Sequence, residues 1–324
     1  MIKKSYNEEI VATIRNSLPA NEKIASFLSD LFFWSKEAIY RRLRGEIAFT
    51  CEEIIIMAAK LDFSIDDIIR FSQSERVIFD LSFQQSDNAT DLYCEKRGQL
   101  IAISQEISKS AGSESLFAIN YIPFSFSMYF EMLSKFDYYK WKHQINSFKP
   151  DTKMCDIIVP QKISEMRDVW IKQERSNSTV SYILDNNVFL SLIRDVDYFY
   201  KRKLINEDEL EAIKQDLLYL VDILIDLAQT GVAITGAKVL LYLSPIDIIS
   251  NHFYIEYDDS VCCYVQIYGI DVLTSYYPDA FQAQKEWIEN YKKYSILITQ
   301  SAEMERFCYF EKQREHILNM GQNK

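Results

Sequence analysis

The chain is poor in the residues that break or bend a backbone, with seven Gly and six Pro in 324 residues. That excludes a collagen-like or Pro-rich protein and a long Gly/Ser linker, and it argues against a loop-rich β sandwich. Histidine is scarcer still, at positions 143, 252 and 316, and the six cysteines (51, 94, 155, 262, 263 and 308) never take CxxC spacing. A Cys/His zinc site is therefore not expected, no cofactor is implied, and the cysteines read as reduced thiols. No apolar run approaches the roughly 20 residues of a membrane span; Ile54 to Ala59 is typical of those present. The opening Met1-Ile2-Lys3-Lys4-Ser5-Tyr6 leads into Asn7-Glu8-Glu9 instead of an apolar stretch, which predicts no signal peptide. A cytoplasmic protein without a membrane partner is the expectation.

Against those absences stand 48% apolar and 26% charged residues, enough to bury sizeable cores, and a length that suits two domains or three small ones. The net charge of −11 is unevenly distributed. Residues 1–70 hold ten Lys/Arg against eleven Asp/Glu, so nearly all the excess acid lies beyond them. Within Ser35 to Arg44, Lys36, Arg41, Arg42 and Arg44 face only Glu37, a short basic segment on an otherwise acidic chain. Acidity of the large body suppresses nonspecific adhesion to nucleic acid, while a small basic face keeps the capacity to bind it.

Periodicity predicts five short helices before residue 70. Ile10, Ile14 and Leu18, with Val11, mark the first, which Pro19 closes; Ile24, Phe27, Leu28 and Leu31 give the i, i+3, i+4, i+7 face of a second. Ser35 is placed to cap a third with Ala38, Ile39 and Leu43 inward and Gly45 at its end. Thr50-Cys51-Glu52-Glu53 has capping-box form and opens a fourth, and Ser64-Ile65-Asp66-Asp67 opens a fifth. Beyond, Val77, Phe79, Leu81 and Phe83 alternate, which suggests a strand, and residues 92–230 read as mostly helical. After Gly231, β-branched and aromatic runs at Val239–Leu243, Phe253–Tyr257 and Val261–Tyr268, the last two joined by Asp258-Asp259-Ser260, predict a hairpin before helices resume near Phe281. The expected fold is mainly α with a minor β component: a five-helix domain over residues 1–72, a linker with a candidate strand over 73–91, and a helical then α+β region over 92–324, sub-divided near 231, with a small antiparallel sheet.

Three segments together carry a family resemblance: Leu28-Ser29-Asp30-Leu31-Phe32-Phe33-Trp34-Ser35, then Ile39 to Gly45, then Met57-Ala58-Ala59-Lys60-Leu61 followed by Phe63-Ser64. Their spacing resembles the Cro/C1-type helix-turn-helix domain, the xenobiotic-response-element family of transcriptional regulators, over about residues 6–70. Ser29 replaces the family's small Ala, the loop Ile47-Ala48-Phe49 lacks its frequent Pro, and Phe33 replaces its turn Gly. Phe33 predicts either a strained positive φ or a turn of different shape. The resemblance implies that the third helix enters the major groove of double-stranded DNA. Carried over, Ser35, Lys36, Glu37, Tyr40 and Arg41 are its exposed positions, with Lys36 suited to guanine, Glu37 to cytosine N4 and Arg41 to a base or a phosphate. Arg44 and Lys23 are expected on phosphates, and Arg42 is expected to pack near Trp34. Regulators of this class pair on two half-sites, so a homodimer is implied.

Leu210, Ile213, Leu217, Leu220, Leu224 and Leu227 follow a 3, 4, 3, 4, 3 spacing in a helix that Asn206 and Glu209 open. It reads first as a core helix and second as a dimerising seam. Enzymatic signals are poor. Gly231 to Lys238 misplaces the lysine of a phosphate-binding loop, Cys262-Cys263 alternates across a strand, and the acid groups at Asp195-Asp197 and Glu207-Asp208-Glu209 lack partners of metal type. The aromatics from Tyr121 to Trp141 read as core, and in a minority reading as the lining of an apolar effector pocket. The sequence thus predicts a non-enzymatic, homodimeric regulator that reads DNA and receives a small-molecule or protein effector, with a protein-binding adaptor or antirepressor of the same shape as the alternative.

Overall fold

The structure is a computed structural model, which describes residues 5–19, 22–61, 63–65, 68, 79–81, 88–145, 147–172, 178–275 and 277–322. The chain divides into two compact units, Met1–Arg76 and Val77–Lys324.

The smaller unit contains α1 (Tyr6–Ser17), α2 (Ile24–Phe32), α3 (Lys36–Leu43) and α4 (Cys51–Leu61). Each begins where local chemistry favours a start. Ser5 and Glu8 form a capping box at α1, and Thr50 and Glu53 form another at α4, with Glu53 N–H donating to Thr50 Oγ1 at 3.2 Å and Thr50 N–H to the Glu53 carboxylate at 2.8 Å. Ile10, Val11 and Ile14 of α1, Phe27 and Leu28 of α2, Ile39 of α3, Phe49 and Met57 close into one core. Of the expected fifth helix at 64–69 only Ser64, Ile65 and Ile68 are described, and most of the linker at 73–91 lies outside the described residues.

The larger unit holds one eight-stranded sheet, in the order β1-β7-β6-β5-β2-β3-β4-β8. The strands are β1 (Asp80–Leu81), β2 (Ser113–Ile119), β3 (Ser178–Leu184), β4 (Lys238–Leu243), β5 (His252–Tyr257), β6 (Ser260–Tyr268), β7 (Asp271–Ser275) and β8 (Ile296–Leu297). Strands β2, β3 and β4 run parallel, and the remaining pairings are antiparallel. This corrects the expected fold class. The sheet is mixed and large instead of small and antiparallel, and two of its strands interrupt the region read as helical. The reason is physical: β2 and β3 are buried on both faces, and a short apolar run of that kind has no alternation to distinguish it from a buried helix. The hairpin turning at Asp258-Asp259 is present as β5–β6, and β4 beyond residue 231 pairs with β3 before it, so a single sheet crosses the position read as a sub-boundary.

Helices α5 (Ala89–Lys109), α6 (Phe124–Ser127), α7 (Glu131–Gln144), α8 (Gln161–Ile171), α9 (Val188–Lys201), α10 (Glu207–Thr230), α11 (Pro278–Tyr294) and α12 (Glu303–Leu318) complete the unit. Adjacent residues of the central strands point to opposite sides. Ile119, Tyr182, Leu184 and Phe253 join the main core with α7, α9, α10 and α12, whereas Leu116, Ala118, Ile183 and Tyr254 face Ile288 of α11.

The 3-4 row on α10 goes to that main core. Leu210, Ile213, Leu217, Leu220 and Leu224 are buried in it and Leu227 packs at its edge, beside β4, α7 and α12. A row consumed in this way offers no surface to a second copy, which corrects its reading as a dimerising seam.

Candidate nucleic-acid interface

The link between α2 and α3 is three residues long. Phe33 takes the left-handed conformation, φ 55° and ψ 32°, and its N–H donates to Ser29 O at 2.9 Å. Its ring is 91% exposed, so the position expected to need glycine is filled by an aromatic side chain that the fold does not pack. The turn keeps its shape at the cost of a conformation that L side chains adopt rarely.

Ser35 then caps α3, its Oγ accepting from Ala38 N–H at 3.3 Å. At the other end Gly45, at φ 77°, lets Gly45 N–H reach Arg42 O and Glu46 N–H reach Arg41 O, both at 2.9 Å, the paired bonds that close a helix through a left-handed residue. Between these stops only Ile39 is fully buried. Lys36, Glu37, Tyr40, Arg41 and Arg44 are exposed along α3 and its end, as is Lys23 immediately before α2.

Arg42 behaves differently from its neighbours. Its guanidinium lies 3.9 Å over the Trp34 ring and 2.9 Å from the Glu53 carboxylate, both groups of that ion pair being largely covered. Asn7 Nδ2 donates to Arg42 O at 2.8 Å, tying α1 to α3. One arginine therefore fastens α3 to Trp34 and α4, and the others remain outside.

Those outer cations are partly neutralised. Arg44 Nε lies 2.6 Å and Arg41 Nε 3.4 Å from the Glu46 carboxylate. The hydrogen bond from Arg44 holds the Glu46 carboxyl below the usual carboxylate range, and all three groups stay in solvent. Such a pair exchanges easily, because exposed ions gain little from each other in water.

The larger unit contains a cavity of about 330 Å³ at the ends of the parallel strands. Asn120 and Tyr121 follow β2, Ser191 and Asp195 come from α9, which follows β3, and Ile249 to Asn251 lie between β4 and β5. The turn from β6 to β7 and the last turns of α7 close it. Carboxyl ends of parallel strands are where open α/β sheets leave crevices. The lining mixes charged and polar groups with Trp141, Ile249, Ile267 and Ile270, which corrects the apolar pocket expected from the aromatic cluster. Most of those rings pack against aromatic side chains of other elements, as in Phe136 and Tyr139 against Phe199 and Phe126 against Tyr182. Tyr121 and Trp141 alone of the expected cluster reach the cavity wall.

Two ion pairs border this space. Asp137 Oδ2 accepts from Arg97 at 2.6 Å and from Tyr93 Oη at 2.7 Å, while Lys140 Nζ donates to Asp195 Oδ2 at 3.0 Å and to Tyr121 Oη at 2.6 Å. Asp195 and Asp197, acids the sequence showed no partners for, are both engaged, the second accepting from Gly321 N–H at 2.9 Å. Lys140 and Asp195 are 55 residues apart and no local pattern announces them.

The segment from Gly231 to Lys238 is a turn at the start of β4, closed by Gly236 N–H on Ala233 O, and does not precede a helix. Cys263 is buried and Cys262 half-buried, and burial pushes the Cys262 thiol up to about 11. Among the described residues no three His, Cys, Asp or Glu side chains gather as metal ligands, and no helix is long and apolar enough to cross a membrane. No family model, no curated protein and no solved structure matches the chain.

Proposed function

We propose that this chain is a sequence-specific, DNA-binding transcriptional regulator that acts as a homodimer, with residues 1–76 reading DNA and residues 77–324 carrying dimerisation and effector reception. The observation that carries the reading is the α2–Phe33–α3 arrangement. A short helix is held by caps at both ends and by one inward arginine, so that Lys36, Glu37, Tyr40 and Arg41 are exposed along its outer side. That is what major-groove readout needs: base-facing donors and acceptors on a rigid helix, with Arg44 and Lys23 beside them for phosphates. Glu46 acts as an internal stand-in for phosphate, releasing Arg41 and Arg44 when DNA arrives. The reading assigns the chain no catalytic chemistry and places it in the cytoplasm with its DNA. The dimer surface lies elsewhere than the α10 row.

A second reading, an adaptor or antirepressor that uses the same domain on a protein, is favoured by one feature, the exposed Phe33 ring. Affinity recovery of sheared genomic DNA by the full-length protein, sequenced beside the Lys36→Ala/Arg41→Ala variant, separates the two. The DNA reading expects a few two-fold symmetric sites enriched by the parent alone, and a salt dependence of log K that is shallower in the variant by up to about two. Equal recovery by parent and variant sinks it.

A further inference from the structure

We infer that the cavity at the ends of β2 and β3 is a binding site for a small, uncharged, hydroxyl-rich molecule of monosaccharide or cyclitol type. The charged side chains that line the cavity are Asp137, Lys140 and Asp195. Asp137 is neutralised by Arg97, and Lys140 by Asp195. Lys140 is also buried, 12% exposed, with Tyr121 Oη on its ammonium and the Tyr121 ring 4.3 Å away. An anionic ligand has no free cation to meet and must evict Asp195; a cationic ligand must be stripped of water beside a buried ammonium. Either cost exceeds what an already paired site returns.

The cavity does offer unused hydrogen-bonding capacity. Asp137 and Asp195 each engage only Oδ2, so among the described residues both Oδ1 atoms are open acceptors. The Gln144 amide and the Ser250 hydroxyl also line the space, and among the described residues neither makes a hydrogen bond. By contrast Asn251 and Gln266 are committed. Asn251 accepts from Asn120 N–H at 2.8 Å and donates to Gln266 Oε1 at 3.0 Å, which fixes the frame around the open groups. Two open carboxylate oxygens with an amide and a hydroxyl, beside Trp141 and Ile270, match a ring that presents several hydroxyl donors and C–H faces. Carboxylates accept from neutral hydroxyls in strong charge-assisted bonds.

Gly269 suits the β6–β7 turn at this wall: its φ of 52° is one that L side chains adopt rarely, and a Cβ there would stand 2.6 Å from Gln144 Oε1, displacing that amide from its place beside the cavity. A space of about 330 Å³ sits at the low end of small-molecule sites and suits one sugar ring with its waters.

This inference does not rest on the DNA reading, since the cavity lies wholly within the larger unit. The test is thermal shift followed by calorimetry on the full-length protein, with glucose, galactose, mannose, xylose, arabinose and myo-inositol set against gluconate and glucosamine. The result expected is stabilisation by at least one neutral compound and by neither charged one. Asp195→Asn, which removes one open carboxylate acceptor at a partly exposed position, weakens that compound by about tenfold. Ser250→Trp, a substitution in the loop after β4 that fills the space, abolishes binding while the unliganded melting temperature is unchanged. The inference is overturned if no neutral compound shifts the melt at millimolar concentration, if only a charged compound does, or if the responding compound keeps its affinity in both variants.

Discussion

Helices α3 and α10 use their side chains in opposite ways. The first has eight residues and buries one of them fully, Ile39; the second has 24 and buries eight. Helix α10 is held by its face, so its leucines are unavailable for anything else. Helix α3 is held by its ends and by Arg42, so its face is free to do chemistry. A recognition helix must present side chains outward and still not move, and fixing both ends achieves that without spending the face.

Breaking α10 gives the largest expected effect. Leu217→Ala removes a fully buried side chain and lowers the stability of the larger unit by about 3 kcal/mol, read from urea unfolding. If instead the row served association, the variant would dissociate by light scattering with its unfolding midpoint unchanged. A smaller effect, of opposite sign, belongs at the entrance to α3. Phe33→Gly relieves a left-handed non-glycine residue and raises the stability of the smaller unit by about 1 kcal/mol, because the exposed ring loses no packing. A loss of stability on this substitution would mean that the ring is packed. The smallest effect falls on the outer face. Glu46→Gln frees Arg41 and Arg44 without touching the core, so unfolding is unaffected and the affinity for a recovered DNA site rises by about threefold at low salt. Weaker DNA binding in this variant would show that Glu46 aligns the two arginines for their task.

The elements legible in the sequence were those whose causes are local. Thr50 with Glu53 and Asn206 with Glu209 announce helix starts by chemistry confined to four residues, and both boxes are formed. Arg42 beside Trp34 was legible for the same reason. Of the parallel strands β4 was legible at Val239–Leu243, but β2 and β3 were not, because Leu116 to Ile119 and Tyr182 to Leu184 are covered on both sides and carry no alternation. Nor was the cavity, whose open groups come from α7, α9 and the loop after β4, three stretches that only the assembled sheet brings together.

The two-residue strand β1 has a mechanical consequence. Asp80 and Leu81 pair with Thr274 and Leu273 at the outer edge of the sheet, on the strand that leaves the cavity's turn. Tension applied through the chain from the side of residue 79 is met first by this short ladder, loaded as a zipper from one end, and only afterwards by the long parallel strands at the sheet's centre. A ladder of two residue pairs holds less than the seven pairs that join β2 to β3, so this edge is the first part of the sheet to give way.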